Sequence, residues 1–226
     1  MRYRPLPHTV EISSGEGIGS LFIRTANAND MSPQNLARYG LGIGAHTWPA
    51  IVHQPHFLEP MSAMFRTPRD LLDQLQIKRR DHKTVSFGDQ VLGVEMVDLL
   101  KCRMAPTRMN ARRAFLRHRW QVRLLQCDPT TGEELVDRCT CGSTFLWATM
   151  TSFGSCSTCR LPWHALPSKV ANKQKQEQTK FWAGLLSAKL EVRIEARRKL
   201  PHELVDSTIC DIWRALANGS SRRTVA

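Results

Sequence analysis

The run RCTCGSTFLWATMTSFGSCSTC at 138–159 holds four of the chain's seven cysteines, as a C-x-C pair (Cys139, Cys141) and a C-x-x-C pair (Cys156, Cys159) separated by fourteen residues. Two short cysteine loops can each present two thiolates to one tetrahedral ion while the intervening stretch brings them together, so this spacing predicts one zinc ion. The usual ribbon has C-x-x-C on both sides; here the first pair is one residue tighter, and its loop must bend differently. Disulfides or merely buried thiols are the alternative. They fit less well, because seven cysteines cannot all pair and an N-terminus without an apolar leader points to a reducing compartment. Four protein ligands also leave zinc no open position, which makes the expected ion structural rather than catalytic.

Composition narrows the partner more than the fold. Thirty-two Lys and Arg face twenty Asp and Glu in 226 residues, a net charge of +12, and a surplus of that size usually meets phosphate or an acidic surface. No apolar run reaches the ~18 residues of a membrane span, so the reading is a cytoplasmic protein with no membrane partner. Eight of the basic residues crowd into 101–123 (Lys101, Arg103, Arg108, Arg112, Arg113, Arg117, Arg119, Arg123), and no acid lies between Asp98 and Asp128. A solvated helix face normally carries compensating acids. Their lack predicts a nucleic-acid-binding segment made by Arg108, Arg112, Arg113, Arg117, Arg119 and Arg123, with Phe115 and Trp120 as aromatic anchors. A second basic stretch at 169–199 has nine positive residues but also Glu177, Glu191 and Glu195, and reads as the wet side of a helix.

Local signals order the rest. Pro5 and Pro7 keep the first residues extended. Ser13 and Glu16 have capping-box spacing, predicting a helix from Glu16 that buries Ile18, Leu21, Phe22 and Ala26; Ser32-Pro33 starts a second, stopped by Gly40 and Gly42. That outline is helix-turn-helix-like. Pro49, Pro55, Pro60 and Pro68 make 41–68 irregular, and His46, His53 and His56 within it read as loop or surface histidines. Thr67-Pro68 opens another helix, closed by the basic run at 78–80. Residues 94–100 are apolar and of ambiguous type. After a connector at 161–168, Trp182, Leu186, Leu190 and Ile194 predict one helix with a core stripe. Val205, Ile209, Ile212, Trp213 and Leu216 predict a second that packs on it, with Pro201 in its first turn. The expected fold is mainly α with small zinc-ribbon β elements, divided into 1–100, a zinc-finger middle at 101–168, and a C-terminal helical hairpin at 169–226.

Catalytic motifs are missing from the sequence: there is no nucleophile elbow, phosphate loop, H-E-x-x-H or carboxylate cluster, and the glycine-rich run at 15–19 lacks the Lys-Ser/Thr of a phosphate loop. The expectation is a non-enzymatic, zinc-stabilised adaptor or nucleic-acid-binding protein.

Several of these residues together resemble the TniQ/TnsD family of transposition target selectors. Its proline-containing arm and E-S-x-x-S-W-x-x-R-x-A-like helix are matched by Glu16, Ser20, Arg24 and Ala26, while Gly17 and Leu21 depart from its serine and tryptophan. Phe115, Arg117 and Trp120 match the aromatic and basic segment of the family's centre, Cys127 and Leu135 follow, and Cys139, Cys141, Gly142, Cys156 and Cys159 match its second finger. The first finger departs: Ala105-Pro106-Thr107-Arg108 stands where C-P-x-C is expected and Cys127-Asp128-Pro129-Thr130 where C-P-x-H is expected. Only Cys127 survives of four ligands, so one zinc ion is expected, with packing around Phe115, Trp120 and Leu125 in place of the other.

The resemblance implies an adaptor that marks a target and recruits the transposon's AAA+ ATPase, TnsC or TniB. Shortness favours the members in which a CRISPR effector complex with its guide RNA marks the target DNA. It also implies that Arg4, Pro5, Pro7, Glu16, Ser20 and Arg24 form the partner-binding region; a homodimer is compatible with this reading. The rival expectation is a stand-alone zinc-ribbon DNA-binding regulator.

Overall fold

The computed structural model describes residues 3–44, 48–49, 53–110 and 114–221; His46, Arg112 and Arg113 lie outside them. Apolar spacing builds the first helix as expected. In α1 (Ile18–Ala28), Ile18, Leu21, Phe22 and Ala26 are all buried, because side chains three and four apart share one helical face. The Ser13 amide donates to Glu16 Oε2 at 3.1 Å, but within a turn that precedes the helix, whose N-cap is Gly17 rather than Ser13. Ser32 caps α2 (Pro33–Asn35) by accepting from the Asn35 amide at 3.1 Å, and a π-helical turn over Leu36–Gly40 extends it.

The arm before α1 lies on the protein. The Leu6 amide donates to the Met64 carbonyl at 2.9 Å, and Asn29 pairs with both backbone groups of His8. Tyr3, Leu6, Val10 and Ile12 pack against the core, while Arg4, Pro5 and Pro7 face solvent.

Two expectations fail in the next segment. Helix α3 (Leu58–Phe65) leads to α4 (Arg69–Gln74), which starts after Pro68 as expected but stops before the basic run. Lys78 and Arg79 belong instead to β1 (Ile77–Arg79), followed by β2 (Thr84–Phe87) and β3 (Gln90–Gly93) in an antiparallel meander of order β1-β2-β3. Lys78 pairs Ser86 and Leu92 pairs Val85, so Val85 and Leu92 turn one face inward. His53 is buried rather than exposed: its Nδ1 and Nε2 face the carbonyls of Ile77 and Leu99 at 3.1 and 2.7 Å, tying β1 to the apolar stretch. Burial lowers its pKa, against the raising effect of those two carbonyls. His56 stays in an exposed turn against Phe57.

The C-terminal stripe does not form one helix. Helix α5 (Lys173–Leu185) ends and α6 (Leu190–Arg197) folds back on it, so Leu190 and Ile194 are 60% and 44% exposed instead of continuing the stripe of Trp182 and Leu186. The close approach falls at Gly184, where a Cβ would lie 2.9 Å from that of Ala196. Pro201 precedes a 3-10 turn, and α7 (Ile209–Ser221) begins later, burying Ile209 and Ile212.

The fold is thus mixed, with seven α-helices and one three-stranded sheet among the described residues, and the regular strands lie outside the cysteine region. The boundaries expected at 100 and 168 do not separate the cores. One core joins α1 to α4 with 102–166; the other joins the meander and Val122 and Leu125 with α5 to α7. Among the described residues no helix is long and apolar enough to cross a membrane.

Candidate metal centre and basic face

Two tight loops bring the four cysteines together. In the first, the Cys139 amide donates to Ser143 O at 2.8 Å and the Gly142 amide to Cys139 O at 2.9 Å; in the second, the Cys156 amide donates to Leu161 O at 2.9 Å and the Arg160 amide to Cys156 O at 3.0 Å. Each loop turns back through a left-handed residue immediately after its second cysteine, Gly142 at φ +88° and Arg160 at φ +64°. The missing residue of the C-x-C pair is therefore absorbed inside the loop, and the turn geometry is kept.

The four Sγ atoms all lie within 4.8 Å of one another, with Cys139 to Cys159 at 3.5 Å and Cys141 to Cys156 at 3.8 Å. A tetrahedron with metal–sulfur bonds of about 2.3 Å has sulfur–sulfur edges near 3.8 Å, so the donor set fits a single ion. Burial pushes the Cys156 thiol up, but the amides of Cys159 and Thr158 and neighbouring thiols bring it down to about 6. The Leu161 amide lowers Cys159, yet the thiols of Cys139, Cys141 and Cys156 and its own desolvation push it up to about 12. Cys139 and Cys156 are buried and Cys141 and Cys159 exposed, which places the site at the surface edge of the core formed by Phe145, Trp147 and Trp163. Among the described residues this is the one group of three or more His, Cys, Asp or Glu side chains placed to hold a metal.

Beside the cysteine loops, carboxylates do the fastening. Glu133 accepts from the Thr107 amide at 3.0 Å, from the Thr107 hydroxyl, and from Ser168 Oγ at 2.7 Å. Fully buried Asp128 accepts from Trp120 Nε1 at 2.9 Å and from the amides of Thr130 and Thr131 at 2.7 and 3.2 Å. Burial alone would raise the Asp128 carboxyl; the Thr130 amide, the Arg119 charge, the Trp120 indole and the Thr131 amide hold it below the ordinary value. Cys127 is buried beside this knot and joins no metal-ligating group among the described residues.

The basic segment is partly spent on the fold. Arg103 donates to the carbonyls of Val122 and Leu125 at 3.0 and 2.6 Å, Arg123 pairs with Asp98 at 2.9 Å, and Lys101 with Asp137 at 3.4 Å. Asp98, which bounds the stretch in sequence, thus compensates it in space, as does the more distant Asp137. What remains is a cluster of Arg108, Arg117 and Arg119. Arg119 lies 3.9 Å from Asp128, and Arg117 sits over the Phe115 ring at 5.0 Å and donates to Ser14 O at 3.1 Å. Burial first, then Arg119 and Arg108, lower Arg117 from its ordinary value against the pull of Asp128. Asp128 is the carboxylate that both Arg117 and Arg119 feel, and Nε of both Arg108 and Arg119 is buried without a hydrogen-bond partner.

Glu16, Ser20 and Arg24 form one internal network. Ser20 Oγ donates to Glu16 Oε1 at 2.8 Å and accepts from the Leu116 amide at 3.0 Å, and Arg24 pairs with Glu16 Oε2 at 2.5 Å. Glu16 and Ser20 are fully buried, so they fasten α1 to the basic segment rather than offering a surface. The exposed members of the expected partner region are Arg4, Pro5 and Pro7.

Sequence reasoning missed Asp98, Asp128 and Glu133 because isolated acids carry no motif. The only signal was positional: Asp98 and Asp128 bracket the basic run. No family model matches the chain, and no curated protein matches it.

Proposed function

We propose that this chain is a non-enzymatic adaptor in DNA transposition that links a marked target, such as a CRISPR effector complex on DNA, to an AAA+ ATPase and through it to the transposase. The observation that carries the proposal is the internal network: Glu16, Ser20 and Arg24, which bear the TniQ/TnsD resemblance of α1, bind one another and the Leu116 amide beside Arg117, which bears the resemblance of the centre. Ser20 and Leu116, which lies between the pattern residues Phe115 and Arg117, are 96 positions apart and here share a hydrogen bond.

In this reading the two cysteine loops are a zinc ribbon, because four thiolates in a tetrahedral set suit zinc and leave it closed to substrate. Zinc supplies cross-linking of the two loops; Cys139, Cys141, Cys156 and Cys159 hold it. The α1–α2 pair is helix-turn-helix-like, the Arg108, Arg117 and Arg119 cluster faces nucleic-acid phosphate, and the arm offers Arg4, Pro5 and Pro7 to the ATPase. The arm is anchored through Leu6, so point changes test it better than deletion. Arg4→Glu combined with Pro7→Gly should lower recruitment of the AAA+ ATPase of the same genome by at least about tenfold in pull-down titrations, a loss of ~1.4 kcal/mol, with metal content unchanged. Recruitment at full affinity would contradict the docking assignment. DNA binding by the unaltered protein with no ATPase recruited at all would favour a stand-alone DNA-binding regulator.

A further inference from the structure

A cavity of about 650 Å³ opens where the two cores meet, between the turn at 14–15, the β2–β3 turn, His118 and Arg119, and the start of the α5–α6 link. Its volume falls in the ~300–1,000 Å³ range of small-ligand sites. The nucleic-acid reading of the arginine cluster does not use it.

The walls make three separate demands on an occupant. The body of the groove is apolar, from Leu75, Phe87, Leu125 and Leu186. The His118 ring lies on Phe87 at 4.8 Å with 21° between the planes, and its Nδ1 is 3.0 Å from the Gly15 carbonyl. A carbonyl only accepts, so Nδ1 carries the proton and Nε2 is left as an acceptor without a protein partner. Burial, then the charges of Arg119 and Arg117, lower the His118 pKa against the Gly15 bond, which keeps the ring neutral near pH 7. Arg119 lines the cavity while its guanidinium also donates to Thr130 Oγ1 at 3.0 Å and lies 3.9 Å from Asp128, and Arg117 donates to the Ser14 carbonyl; the carboxylate on the wall, Asp89, is neutralised by Arg193 at 2.7 Å. An occupant therefore needs a flat apolar body, a hydrogen-bond donor on its edge and an anionic group. A fatty acid lacks the donor, and a neutral peptide side chain lacks the anion.

We propose that this cavity takes one nucleotide, its base in the apolar groove with an N–H edge on His118 Nε2 and its phosphate at Arg119. The nucleotide is either free or an unstacked member of a strand lying on the arginine cluster; the second source rests on the nucleic-acid reading above. Base stacking on aromatic rings and removal from a strand follow the same physical rules in both cases.

The test uses the full chain with adenosine monophosphate in calorimetric titration, and with single-stranded and duplex oligonucleotides in anisotropy titration. Ala188→Trp fills the groove from an exposed position, and His118→Phe keeps a ring on Phe87 while removing Nε2. Each should weaken adenosine monophosphate by about tenfold or more, a loss of ~1.4 kcal/mol or more. If the source is a strand, Ala188→Trp weakens the single strand to a similar degree and spares the duplex; if the nucleotide is free, strand affinity is unchanged. Adenosine monophosphate that does not bind the unaltered protein, or that binds Ala188→Trp as tightly, overturns the proposal. Strand and duplex binding that is absent or insensitive to salt would overturn the nucleic-acid reading instead, and the mononucleotide titration would still decide the cavity.

Discussion

The two halves of the middle region solve the same problem with different chemistry. Among their described residues, both 104–134 and 138–162 are runs of turns and single bridges with almost no regular hydrogen-bond ladder to hold them. The cysteine half converges four sulfurs on one point, where one metal ion could neutralise and cross-link them. The other half uses Glu133 and Asp128, each buried and each accepting three or more hydrogen bonds from separate segments. A buried carboxylate surrounded by donors can replace a metal as a point of convergence, provided every oxygen is satisfied. The difference predicts different dependences: a metal-loaded cysteine half would depend on metal supply and redox state, the other on the ionisation of Asp128.

That contrast can be broken most forcefully at Cys156. Cys156→Ser should release the ion and unfold the cysteine half, a loss of about 5 kcal/mol or more, seen as exposure of Trp147 and Trp163 in the emission spectrum. Retention of native emission after this change and after chelation would erase the distinction between the halves. Next in size, Glu133→Ala should cost about 2–3 kcal/mol, because it leaves the Thr107 amide and the Thr107 and Ser168 hydroxyls without their shared acceptor; metal content should not change.

The pH response sharpens the same comparison. Asp128 titrates in the folded state below its unfolded value of about 3.9, so its stabilisation is complete above that value and is lost as pH falls through the folded one. Thermal melts of the protein and of Asp128→Asn should differ by a constant amount at neutral pH and converge below about pH 4. A difference that grows on acidification would contradict the assignment. The smallest effect is at Arg160, whose left-handed backbone corresponds to that of Gly142 in the other loop. Arg160→Gly should raise stability of the metal-loaded form by about 0.5–1 kcal/mol in denaturant titrations.

What the sequence disclosed follows the range of the forces involved. The core face of α1, the Ser32 cap and the cysteine set were legible because each is decided within a few residues. The meander was hidden because its strands are three or four residues long and Lys78-Arg79-Arg80 imitates the basic end of a helix. The break between α5 and α6 was hidden because Leu190 and Ile194 continue the spacing of Trp182 and Leu186, and only their exposure separates them. The surplus of the basic segment was overstated, since Arg123 finds Asp98 and Arg119 approaches Asp128 across folded rather than sequential distance. His53 lies in a turn, as a loop histidine should, but its burial was hidden for the same reason: its partners are 24 and 46 residues away.

One measurement tests most directly whether the four cysteines form a single metal site beside the carboxylate knot. Metal analysis of the purified chain, prepared without chelator, should find about one equivalent of zinc and none in Cys156→Ser. No metal in the unaltered protein, or two equivalents with one persisting in Cys156→Ser, would contradict it.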